Sequence, residues 1–165
     1  MAQQKDPWFT EVATKRFETE RAVEIRFVLP LLERLGYSED DRSDGQSVSM
    51  KIGSKTTRGE ADFVVYDGPV KSPDTSLMLI EAKAPGAKMS DALRQAICYQ
   101  RELRTLIIMV TDGNRLELWE HHQNKGDQQI FFSDRSSLGV NFHDFHKYAS
   151  RSSLSHRKLA LIHVS

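Results

Sequence analysis

The stretch Leu77-Met78-Leu79-Ile80-Glu81-Ala82-Lys83-Ala84-Pro85-Gly86 decides how this chain folds. Side chains alternate along a strand, so Glu81 and Lys83, two positions apart, emerge on the same face. The apolar approach fills both parities, the pattern of a central strand covered on both sides, and the strand is expected over Leu77 to Ala84. A carboxylate and an ammonium at the end of such a strand have no packing role. Their chemical use is a metal-binding acid beside a cation that orients a nucleophile or neutralises developing charge.

Upstream, a long first helix is expected from Trp8 or Thr14 to Leu35, kinked at Pro30 and closed by Gly36 in the left-handed conformation. Val23, Phe27, Val28, Leu31, Leu32 and Leu35 form its apolar stripe. Glu20 and Glu24 fall on that same stripe, so at least one of them is aimed at the sheet. Glu39 to Gln46 reads as an acidic loop, Ser47 to Ile52 as a half-exposed strand, Lys55 to Gly59 as a basic turn, and Ala61 to Tyr66 as a second strand. Downstream, Ser90 is the expected cap of a helix carrying Ala92, Leu93, Ala96, Ile97 and Leu103 inward. Leu106 to Val110, a turn at Thr111-Asp112-Gly113-Asn114, and Leu116 to Trp119 read as a buried hairpin. Gln129 to Phe132 is a candidate edge strand and Phe142 to Ala149 a short helix. Ser150 to His156 reads as a mobile polar tail, with apolar character returning over Leu159 to Val164.

At 165 residues, with 39% hydrophobic and 28% charged residues, the composition is that of one soluble globular domain. No apolar run reaches membrane-spanning length, and the polar opening Ala2-Gln3-Gln4-Lys5-Asp6 is not a signal peptide. Cys98 stands alone, which excludes an internal disulfide and a cysteine zinc site; a reducing cytoplasm is the expected compartment. The formal charge of zero neither favours nor excludes nucleic-acid binding, because acids that hold cations count as negative in the sum.

The two strands around the Asp67–Ser76 connection can pair antiparallel. Pairing Tyr66 with Leu77 sets Asp62 opposite Glu81, with Cβ atoms roughly 5 Å apart. Carboxylates that close repel unless a proton or cation lies between them. Mg²⁺ fits, being octahedral, oxygen-loving and able to retain water for chemistry. Gln95 and Tyr99, one helical turn apart, bring two hydrogen-bonding tips to the sheet rim. The competing readings are ordinary ones: an ion pair of Asp62 with Arg58 or Lys55, a salt bridge between Glu81 and Lys83, and solvated surface roles for His121, His122, His143 and His146. Lys51, Lys55, Arg58 and Lys88 suit either a DNA groove or a solvated edge. Cys98 is expected to be a buried small residue.

Gly59-Glu60-Ala61-Asp62, then Leu79-Ile80-Glu81-Ala82-Lys83, then Gln95-Ala96-Ile97-Cys98-Tyr99 resemble the PD-(D/E)XK nuclease superfamily. More narrowly, they resemble the N-terminal endonuclease domain of type I restriction enzyme R (HsdR) subunits. The helix from Glu20 through Pro30-Leu31-Leu32 to Gly36-Tyr37 also matches that family's opening, so the resemblance runs from about Glu20 to Trp119. It implies a restriction-endonuclease-like α/β fold, a mixed β-sheet flanked by helices with an αβββαβ core. Residues 1–150 form the nuclease-like domain, and residues 151–165 a tail or the stub of a linker. It implies Asp62 and Glu81 as metal ligands with the Ala82 carbonyl as a third, Lys83 as the catalytic lysine, Glu20 as an accessory acid, and Gln95 and Tyr99 in DNA handling. The implied cofactor is Mg²⁺, with Mn²⁺ as a substitute. The implied partners are DNA and the methyltransferase and specificity subunits of a restriction complex, with no membrane. Two departures stand out. Ala61, not proline, precedes Asp62, and no Walker motif of the translocase that full R subunits carry is present.

The expected function is therefore Mg²⁺-dependent hydrolysis of DNA phosphodiester bonds. The alternative is a nuclease-fold module that binds nucleic acid or a partner protein without cutting.

Overall fold

The computed structural model describes residues 6–122 and 124–164. The polar opening Ala2–Lys5 and the side chains of Ile52 and Val164, on which the reading above also drew, lie outside the described residues. Among the described residues no helix is long and apolar enough to cross a membrane.

Among the described residues, six strands form one sheet in the order β1-β2-β3-β4-β5-β6. They are β1 Arg42–Ile52, β2 Lys55–Tyr66, β3 Ser76–Ala82, β4 Ile107–Thr111, β5 Arg115–His122 and β6 Gly126–Asp134. Only β3 and β4 run parallel, joined through helix α4 (Met89–Leu103); every other neighbour is antiparallel. The parallel pair needs a crossover, and the helix supplies it. Every residue of β3 and β4 is buried, as a run apolar on both parities requires.

Two apolar layers cover the sheet. On one face Phe63, Val65, Met78, Ile80, Met109 and Leu118 pack with Val23, Phe27, Leu31, Phe145 and Leu154 from the N- and C-terminal helices. On the other, Val64, Tyr66, Leu79, Ile108 and Val110 pack with Ala92, Ala96 and Tyr99 of α4.

The expected first helix is two. Asp6 caps α1 (Pro7–Ala13), its carboxylate accepting from Trp8 N–H at 3.0 Å with Pro7 at the first position. The helical path resumes at Glu20 because Thr19 accepts from Ala22 N–H at 3.0 Å, an N-cap the apolar stripe did not reveal. From there α2 (Glu20–Val23), a π turn (Glu24–Val28) and α3 (Leu29–Arg34) run on without a break. Pro30 cannot donate to the turn before it, and the distortion expected there takes the form of this π turn, with Leu29 N–H donating to Glu24 O. Gly36, at φ 94, ends the run as expected, and Tyr37 N–H returns to Leu32 O at 3.0 Å.

Three boundaries differ for identifiable reasons. Of the acidic loop, Glu39–Asp41 is a 3-10 turn and residues 42–46 belong to β1, while the basic turn is strand in β2: the two strands form one long hairpin, and residues 55–59, largely exposed near its tip, carry no apolar alternation. Helix α4 begins at Met89, with Lys88 rather than Ser90 at the cap, and Cys98 on it is exposed. The polar tail is also ordered: α6 (Arg151–Val164) follows α5 (Leu138–Ala149) and buries Leu154 in the core. Arg151 pairs with Asp41 and Asp67, both at 3.4 Å, and Ser155 Oγ donates to Asp67 at 2.7 Å. Those partners lie far away in sequence, which is why the Arg/Ser-rich composition reads as linker.

Candidate active site

Three rungs fix the register of β2 on β3: Val65 opposite Met78, Val64 opposite Leu79, and Phe63 opposite Ile80. One step further, Asp62 faces Glu81, the arrangement read from the sequence. The anchor differs, because a bulge at Val65/Tyr66 sets Tyr66 against Ser76 and not Leu77.

Where the next backbone rungs would lie, side chains take over. Asp62 N–H donates to Glu81 Oε1 at 3.3 Å, and Ala82 N–H donates to Asp62 Oδ2 at 2.8 Å. Ala82 is fully buried, and Glu81 is 1% exposed. Asp62 is thus engaged by β3, while Arg58 and Lys55 are exposed on the outer hairpin.

Burial first, and then the neighbouring Asp62 carboxylate, push the Glu81 carboxyl up to about 9, with Lys83 opposing in part. Asp62 is raised by burial and by Glu20 and Glu24, against the lowering effect of the Ala82 amide. Burial and the neighbouring like charge thus favour the protonated form of Glu81 in the absence of a cation.

From the opposite face of the sheet, α2 and the π turn deliver Glu20 and Glu24. These two and Asp62 each offer an oxygen, and the oxygens all lie within 4.8 Å of one another. Arg21 meets Glu24 at 3.1 Å, but its side chain is 77% exposed, so solvent screens that pair. Four acids crowd this end of the sheet, Glu81 buried and Asp62 half-buried, and their mutual repulsion is what a dication would relieve. The donors are all oxygen, which suits Mg²⁺ or Mn²⁺ rather than a softer metal. The residues fit such an ion. Glu20 and Glu24 both place an oxygen within 4.8 Å of Asp62, so both are candidates for the accessory acid.

On the α4 face, Lys83 extends β3 through its N–H to Thr111 O at 2.9 Å. Its ammonium donates to Gln95 Oε1 at 3.4 Å, and Gln95 Nε2 donates to Tyr99 Oη at 2.7 Å. Tyr99 in turn lies against Gly59, where a Cβ atom would come within 2.4 Å of Tyr99 Oη. Gly59 is the residue whose role sequence reasoning missed, although a glycine inside a strand is itself the sign of close approach. It gives Tyr99 room, Tyr99 holds Gln95, and Gln95 holds Lys83.

The histidines stand apart from this constellation. His121 pairs with Asp127 at 2.6 Å and His122 approaches Glu120 at 3.8 Å, while His143 and His146 are exposed on α5. Lys51, Lys55, Arg58 and Lys88 are exposed.

A family model described as type I restriction enzyme R protein N terminus (HSDR_N) matches residues 19–133. Among solved structures, the chain is similar to a fragment assigned to the HsdR subunit of a type I restriction enzyme from Vibrio vulnificus YJ016, at 15% identity and a TM-score of 0.56. That likeness covers 85% of this chain and 25% of the other, so the chain spans about a quarter of its solved relative. At such identity it speaks to the fold, a restriction-endonuclease-like α/β sheet flanked by helices. No curated protein matches the chain.

Proposed function

Because this chain belongs to the family of type I restriction enzyme R protein N termini, we propose that it is a Mg²⁺-dependent DNA endonuclease domain of such an R subunit, with Mn²⁺ able to substitute. The observation that carries the reading is the convergence on Asp62. Glu81 accepts from its amide at 3.3 Å, Ala82 N–H anchors its carboxylate at 2.8 Å, and Glu20 and Glu24 each place an oxygen within 4.8 Å of it. Asp62 and Glu81, with Glu20 and Glu24, would hold the ion. When bound, it supplies Lewis acidity to a scissile phosphate and lowers the pKa of a water.

The chain's own residues do the rest. The Ala82 amide fixes Asp62 at the strand end, and burial lets a charged Glu81 act in a low dielectric. The Lys83 ammonium neutralises a phosphoryl oxygen and can orient the attacking water. Gln95 and Tyr99 restrict where that ammonium sits. In a restriction complex in the cytoplasm, sequence choice falls to the methyltransferase and specificity subunits, and this domain cuts DNA without strong preference of its own.

The test combines two measurements on the purified chain. Calorimetric titration with Mn²⁺ should give saturable binding that Asp62→Ala abolishes. Plasmid nicking with Mg²⁺ or Mn²⁺ should be lost in both Asp62→Ala and Lys83→Ala. Undiminished nicking by both variants would remove these residues from the reaction. A folded chain with no Mn²⁺ affinity would favour the non-cleaving binding module.

A further inference from the structure

At the other end of β3 from the carboxylates, a cleft of about 1020 Å³ opens between the C-terminal end of α4, β5 and α6. We propose that this cleft binds a small phosphorylated organic anion, with Arg101, Arg104 and Lys158 on the phosphate and Ile97 and Leu161 against its apolar body.

The cations are what single it out. Lys158 is only 8% exposed, and it meets uncharged partners, Arg104 O at 2.6 Å and Ser76 Oγ at 3.4 Å. An ammonium has three donors, so one N–H is unassigned. The carbonyl end of α4 offsets roughly half a charge. Arg101 and Arg104 make no ion pair among the described residues, and both line the same cleft. The acids there answer little of this. Glu120 is taken by Arg157 at 2.9 Å, which leaves Asp74 against three cations.

Two further observations point to an occupant. Thr105 is 6% exposed and lines the cleft, and its hydroxyl oxygen is buried with no hydrogen-bond partner. Buried polar atoms are rarely left so; closed off from the open cleft as the side chain stands, this one reaches an occupant only by turning at χ1. Arg104 also caps α4 at φ 58, a left-handed position that ordinarily takes glycine or asparagine. An arginine there has a use other than ending the helix.

The apolar side comes from Ile97, half-buried, and Leu161, 58% exposed. The mixture of concave apolar wall and a few placed polar groups is that of a small-molecule site. A nucleic-acid duplex fits less well than a small ligand, because only Arg101 and Arg104 are exposed to it. Its convex backbone meets exposed cations and would not reach an ammonium as buried as that of Lys158. This inference does not depend on the proposed nuclease chemistry.

The probe is 1-naphthyl phosphate, titrated into the full chain with chelator present and followed by calorimetry and amide NMR shifts. One-to-one saturable binding is expected, with shifts at Thr105, Arg104 and Lys158. Inorganic phosphate should bind about tenfold more weakly, for want of an apolar body. Arg104→Asn, which keeps the left-handed cap, and Arg101→Gln should each weaken binding about tenfold with the unfolding midpoint unchanged. Absence of saturation, or undiminished affinity in both variants, overturns the proposal. So does a short DNA duplex that binds here in place of naphthyl phosphate and loses its affinity in both variants.

Discussion

Glu81→Gln should make the metal-free protein more stable and at the same time unable to hold a dication. Unfolded Glu81 ionises near 4.5, whereas in the fold it holds its proton to about 9. Between those values the folded chain binds more protons than the unfolded one, so stability is fully present below pH 4.5 and falls as pH rises toward 9. At about 1.4 kcal/mol per unit over the roughly 2.5 units up to pH 7, the loss is at most about 3–4 kcal/mol. Water entry and the interaction with Asp62 reduce it, leaving about 1–3 kcal/mol. Glutamine is permanently in the neutral form. Its oxygen still accepts from Asp62 N–H, and its amide can donate to the Asp62 carboxylate, so the hydrogen bonds survive without the titration. Urea unfolding followed by circular dichroism, at pH 5, 6, 7 and 8 with chelator, measures the effect. The two proteins should nearly coincide at pH 5 and separate as pH rises, the variant ahead by about 1–3 kcal/mol at pH 7. Added Mn²⁺ should then raise the midpoint of the wild type and leave the variant unmoved. Parallel pH profiles for the two proteins would refute the reasoning, because they would mean that Glu81 does not titrate with folding.

Gly59→Ala places a methyl group where Tyr99 Oη lies, so Tyr99 must move and release Gln95 and Lys83. Nicking should fall at least about tenfold with Mn²⁺ affinity by calorimetry unchanged; equal loss of both would assign Gly59 to folding instead. Glu24→Gln should weaken Mn²⁺ about tenfold at little cost to the urea midpoint, and unchanged affinity would leave Glu20 as the sole accessory acid. Leu154→Ala should cost about 2–5 kcal/mol in urea unfolding. A change below about 0.5 kcal/mol would show α6 to be peripheral.

The centre of this fold was legible because its elements are stabilised by local pattern. Leu77 to Ile80 and Ile107 to Val110 are apolar on both parities, and the sequence between them can only be a crossover. The edges were not legible, since what holds them is remote. Residues Lys55–Gly59 are strand because they pair with Val48–Ile52, and nothing in their own composition says so. Helix α6 is held by Asp41 and Asp67, which no local reading of Arg151 and Ser155 could supply. At the site, Asp62 and Glu81 were found by register and Glu20 and Glu24 by helical spacing, both periodicities of the backbone. Gly59 was missed because its contribution is space, and its reason, Tyr99, lies on another element.

That division explains why the acids stand where they do. A β ladder can continue only while two strands stay close, and β2 and β3 have their last backbone rung at Phe63 and Ile80. Beyond it an amide needs a new acceptor, and each carboxylate serves the other strand: Glu81 takes the Asp62 amide and Asp62 takes the Ala82 amide. The hydrogen bonds that finish the sheet are therefore the ones that aim the acids at each other. Removing either acid frays the strand end as well as the cation site, whereas the neutral amide isostere at Glu81 spares the first and destroys the second. A site assembled only for packing would have no reason to carry a charge there. Under the proposed function, the loss of stability expected of the metal-free wild type between about pH 4.5 and 9 is what a bound cation would relieve.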